Sequence, residues 1–111
     1  MKEIRFIDEA RIEFLAAVTY YEQIERGLGE RFRNAVEAAS ALAARLPNAG
    51  SQWRHGTRRV FTKNFPFSIG YRVEKDTIVI VAVAHFRRKP EYWHGRRLAT
   101  RAISSLENIR A

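Results

Sequence analysis

The sequence predicts an α+β fold: a helical hairpin packed on a mostly antiparallel sheet, in the order β-α-α-β-β-β with a C-terminal helix. Three observations predict it. Residues 78–84 read Ile-Val-Ile-Val-Ala-Val-Ala, an almost unbroken β-branched run that suits a strand buried on both faces. Residues 9–46 repeat apolar side chains at helical spacing in two blocks, parted by Gly27 and Gly29. Residues 58–74 instead alternate along the chain as strands do.

Taken in order, Glu3-Ile4-Arg5-Phe6-Ile7 alternates charged with apolar and reads as a short strand with one buried face. Asp8 is suited to cap the helix that follows, with Glu9 in its first turn. That helix runs from Glu9 to about Arg26, with a stripe of Phe14, Leu15, Val18, Tyr21 and Ile24. Gly27 and Gly29 stop it. A second helix spans about Glu30 to Arg45, its stripe Phe32, Val36, Ala39, Leu42 and Leu46. So short a connection predicts an antiparallel hairpin. Pro47 to Ser51 is then a loop.

Thr57 to Lys63 alternates as a strand whose two faces cannot be ranked, because arginines fall on both. Asn64-Phe65-Pro66 bends the chain, and Phe67 to Glu74 forms the next strand. It sets Phe67, Ile69, Tyr71 and Val73 on one side, with Ser68, Gly70 and Arg72 on the other. Lys75-Asp76 makes a hairpin turn into the core strand, Thr77 to His85. Pro90 to Trp93 reads as a turn, and Arg96 to Ile109 returns to helical spacing through Leu98, Ile103, Leu106 and Ile109.

A chain of 111 residues has the size of one domain, 1–111, with room for one modest core. Its 46% hydrophobic content argues against disorder. No apolar run approaches the roughly 20 residues of a membrane span. The opening Met-Lys-Glu-Ile-Arg-Phe lacks the apolar core of a secretory signal. Cysteine is absent, which excludes disulfides and thiolate metal sites and is compatible with the cytoplasm, the expected location. His55 and His94 have no metal-ligand spacing, so no metal and no cofactor is expected.

The net charge is +8, and it is unevenly spread. Residues 1–53 carry seven Lys/Arg against eight Asp/Glu, whereas residues 54–101 carry twelve against three. All three histidines, His55, His85 and His94, lie in that second segment. The excess charge therefore belongs to one region, and it favours an anionic partner. Its densest point follows the core strand: Arg87-Arg88-Lys89, then Pro90, Glu91, Tyr92 and Trp93. Three adjacent cations cannot all find internal carboxylates in a region that holds so few.

The order of elements resembles the RelE/ParE superfamily of toxins from bacterial type II toxin–antitoxin systems. Local motifs carry the likeness: Arg58-Arg59-Val60-Phe61, then Phe65-Pro66-Phe67-Ser68-Ile69-Gly70-Tyr71-Arg72, then Val81-Ala82-Val83-Ala84-His85 with Arg87-Arg88-Lys89-Pro90-Glu91-Tyr92-Trp93. Together they look like the ParE-like, plasmid-stabilisation type, over nearly the whole chain. The resemblance implies a growth-inhibiting toxin neutralised by a cognate antitoxin, whose acidic, partly disordered tail folds on the toxin. It also implies one of two targets: DNA gyrase for ParE-like members, ribosome-bound mRNA for RelE-like ones. The scaffold does not choose between them.

An RNA-cleaving site needs a base, cations for the phosphorane charge, and an acid. His85, Arg72, Arg87 and Tyr92 are the candidates for those roles. For binding an anionic target, the candidates are Arg58, Arg59, Arg72, Arg87, Arg88, Lys89, Tyr92 and Trp93: arginine forks for the charge, aromatics for stacking. Structural readings stand beside these. His85 ends a buried strand with its ring bonded to a backbone carbonyl; Tyr92 and Trp93 cover the sheet; Arg72 pairs with a helix carboxylate such as Glu37. Some eighteen residues follow Trp93, where nuclease members end close to their catalytic groups. Only Lys63 answers to the lysine pair associated with those nucleases. Both departures put the ParE-like inhibitor ahead of the nuclease.

Overall fold

The computed structural model describes residues 1–88 and the backbone at 104–105. Strand β1 (Glu3–Phe6) leads into helices α1 (Asp8–Ile24) and α2 (Leu28–Arg45). Then come β2 (Ser51–Gln52), a short turn at Arg54–Gly56, β3 (Arg58–Phe61), β4 (Phe67–Val73), β5 (Thr77–His85) and β6 (Ser104–Ser105). The sheet order is β2-β3-β4-β5-β1-β6. All neighbours run antiparallel except β1 and β5, which are parallel with Glu3 opposite Thr77. The expected β-α-α-β-β-β order is borne out, with β2 an addition that the sequence reads as loop. The predicted C-terminal helix lies outside the described residues except at Ser104–Ser105, where the backbone pairs with β1 instead.

The apolar run of β5 behaves as its composition requires: every residue from Ile78 to Ala84 is buried. The helices cover one face of the sheet, and Phe6, Phe14, Phe32, Ile69, Tyr71 and Ile80 fill the layer between. Phe32 packs on Phe65 and Phe67 at centroid distances of 5.2 and 4.9 Å, tying α2 to the bend before β4.

Two helix details differ from the sequence reading. Asp8 does not cap α1; Ile7 holds that position, with no side-chain cap, and Asp8 sits in the first turn, where its charge suits the helix dipole. On α2 the buried face is Phe32, Val36, Ala39, Ser40, Ala43 and Ala44, while Leu46 is exposed. Small residues face inward there because the sheet lies close. The turn between helices is closed from α1: the Glu22 carboxylate accepts from the amides of Gly27 and Gly29, satisfying donors at the start of α2. Gly29 is needed at this point, since a Cβ would lie 2.7 Å from the Val18 carbonyl oxygen.

Candidate functional site

Register sorts the arginines of β3 and β4. Arg58 stands opposite Tyr71, and Arg59 opposite Gly70. Tyr71 is fully buried on the helix side, where its hydroxyl donates to Pro47 O at 2.7 Å and accepts from Gly50 N at 3.1 Å. Arg58 shares that side and donates to Gly50 O at 2.7 Å, fastening the loop after α2. Alternation sends Arg59, Phe61, Ser68, Gly70 and Arg72 to the face away from the helices.

On that far face Trp53 lies over Gly70. A Cβ at position 70 would meet the indole at 2.4 Å, so only glycine leaves the seat open. The Arg59 guanidinium stacks against Trp53 at 5.1 Å and Phe61 at 5.0 Å from the ring centroids. Phe61 meets Phe86 edge-on at 5.6 Å, and both rings are more than half exposed. A cavity of about 200 Å³ opens among Trp53, Arg59, Phe61, His85, Phe86 and Arg88. Arg59 Nε is buried without a hydrogen-bond partner among the described residues.

His85 sits at the edge of this cavity, where β5 ends. It pairs in register with Phe67, and the two rings meet at 5.3 Å on the helix side. Its Nδ1 accepts the amide N–H of Arg87 at 3.0 Å. The expected bond to a carbonyl is thus replaced by a bond from an amide. Arg72 is exposed on the far face and its nearest ion-pair partner is Glu74, at 4.0 Å, rather than Glu37. Arg87 and Arg88 are exposed in the turn after β5. Lys89, Tyr92 and Trp93 lie outside the described residues. The sequence reading passed over Trp53, Phe61, Phe86 and Gly70. Their signals were an Arg-x-Phe alternation at Arg59 and Phe61, and a glycine in the middle of an apolar strand.

A second concavity lies on the helix side. Glu13, Ala17, Tyr20, Tyr21 and Ile24 of α1 face Phe67, Val83, His85 and Arg88 across a mainly apolar groove of about 510 Å³. Tyr20 and Ile24 are 60% and 57% exposed, unusual for apolar helix residues without a partner. Glu13 accepts the amide of Val83 at 3.0 Å, where β5 runs on past the end of β1. Burial, then the neighbouring Tyr20, raises the Tyr21 phenol above its usual 10.0. Among the described residues no cluster of three or more His, Cys, Asp or Glu is placed to hold a metal. Nor is any helix there long and apolar enough to cross a membrane.

Comparison with known proteins decides the family. Residues 4–90 match the model of the ParE toxin of type II toxin–antitoxin systems, parDE. This chain belongs to the ParE toxin family. Among solved structures, a chain described as the chromosomal ParDE TA system from P. aeruginosa superposes with a TM-score of 0.61 at 19% identity. The match covers 77% of this chain and 96% of that one, and at this identity it speaks for the fold alone. No curated protein matches. The ParE-family chain is thus the toxin half of a toxin–antitoxin pair, and a cognate antitoxin is its partner.

Proposed function

We propose that this ParE-family chain, acting as one toxin domain over residues 1–111, arrests growth in the bacterial cytoplasm by contact with DNA gyrase, and that the antitoxin relieves the arrest. One observation supports contact over RNA cleavage. Exposed Phe61 and Phe86 and the stacked Arg59 line one cavity, with His85 at its edge, its Nδ1 engaged by the Arg87 amide. The far face, with its stacked arginine and exposed phenylalanines, has the composition of a protein-binding hot spot. In this reading the antitoxin's acidic tail folds into the α1 groove, its apolar residues on Tyr20 and Ile24 and its carboxylates toward Arg88.

Induction of the chain alone in a bacterium tests the reading. Arrest with filamentation and DNA-damage signalling is expected, and purified gyrase should accumulate cleaved plasmid in its presence. Arrest with transcripts cut at translated codons would instead establish the RelE-like nuclease, and His85→Ala should then lose roughly 10²-fold in cleavage.

A further inference from the structure

We propose that Arg59 is the hot spot by which the toxin grips its target protein, receiving a carboxylate that sits beside an apolar side chain of that partner. The inference rests on the reading that the toxin acts by protein contact. Arg59 contacts the rings of both Trp53 and Phe61, so its guanidinium is positioned before any partner arrives. Its Nε is already withdrawn from solvent and has no acceptor among the described residues. Arg59 as a whole is half-buried and lines the cavity, which is where a partner's carboxylate meets the guanidinium. Arg5, Arg31, Arg33 and Arg72 each have a carboxylate within 4.0 Å, whereas no described carboxylate pairs with Arg59.

The surroundings define what else the partner brings. Phe61 and Phe86 are 53% and 55% exposed and form one edge-to-face apolar step beside the guanidinium. An aspartate or glutamate flanked by a branched or aromatic residue matches that pair of features. Single-stranded nucleic acid fits less well. Bases stack on open ring faces, but here Trp53 is packed onto Gly70 and Arg59 stacks against both Trp53 and Phe61. The antitoxin has the larger apolar groove on the other side of the sheet, which leaves the far face to the target. His85 and Arg88 line both concavities, so an antitoxin seated in the groove reaches the rim of the target site without covering Arg59.

Two variants test this, with purified gyrase as the target probe and the cognate antitoxin as the control. Arg59→Gln removes the charge; Arg59→Lys keeps it and removes the planar fork. Thermal melts first establish that both are folded. Both are expected to weaken gyrase binding and cleaved-plasmid formation by about 30-fold or more, with antitoxin affinity within about threefold of wild type. Arg59→Lys at full potency would overturn the inference, since a bare charge would then suffice. So would an equal loss of antitoxin affinity, which assigns the surface to the antitoxin. If the wild-type chain arrests growth without touching gyrase, the gyrase reading fails on its own. The hot spot then stands if Arg59→Gln abolishes the arrest, and falls if the arrest persists or proceeds by cutting RNA.

Discussion

Tyr71→Phe is the most direct test of how the loop after α2 is held. The substitution keeps the ring, which is fully buried, and removes only the hydroxyl. Two groups lose a partner: the Pro47 carbonyl at 2.7 Å and the Gly50 amide at 3.1 Å. Pro47 is partly exposed, so water can reach its oxygen; Gly50 is buried, so its amide is left without an acceptor. An orphaned buried donor costs about 1–3 kcal/mol. Taking about 2 kcal/mol, a domain of this size should melt about 8–15 °C lower. The alkaline limb gives an independent check. Burial raises the Tyr71 phenol above its usual 10.0, with the Gly50 amide and the Arg58 charge pulling partly back. The fold therefore prefers the neutral phenol. Its contribution is complete below pH 10.0 and is lost as pH climbs through the raised value. Tyr71→Phe should shed that share of the alkaline fall and keep the share due to Tyr21. A variant that melts within about 2 °C of wild type would refute the reasoning, because the loop from Pro47 to Gly50 would then be held by other contacts.

Three further outcomes follow from single contacts. Glu13→Ala should cost about 1–3 kcal/mol and speed exchange of the Val83 amide, while Glu13→Gln, which keeps an acceptor, should be nearly neutral in a denaturant melt. Glu22→Ala frees the Gly27 and Gly29 amides and should lower stability by about 1 kcal/mol, read by urea unfolding monitored on the helical signal. Gly70→Ala drives a methyl into the indole, so Trp53 must leave its seat; tryptophan fluorescence should shift, and stability should fall by about 2–3 kcal/mol, unlike an alanine at an exposed loop position.

The sequence was informative where burial dictates residue type. β5 could be read from its β-branched run, and both helices from their apolar spacing, because no other structure buries such patterns. The inward face of α2 was harder: alanines and Ser40 give little contrast, and the stripe drawn through Leu42 and Leu46 is rotated from the buried one. The site was less legible still. Arg58 and Arg59 are adjacent and chemically identical, and only the register with Tyr71 and Gly70 assigns one to the loop and the other to the far face. His85 is one residue in an alternating strand, so its side depends on the pairing with Phe67 and on an irregularity in that pairing at Gly70 and Tyr71. Trp53 gave no periodic signal because it belongs to neither β2 nor β3 and acts through a glycine seventeen positions later.

The parallel pairing of β1 with β5 has a consequence in time. Glu3 waits for Thr77, and Phe6 for Ile80, before either finds its neighbour. The ribosome delivers the first strand long before the last, so a growing chain holds its opening segment unmatched through most of synthesis. An interrupted copy that stops short of Thr77 cannot assemble the sheet, and bacteria expressing one should divide normally. Toxicity in such a topology switches on late, only once β5 has been made.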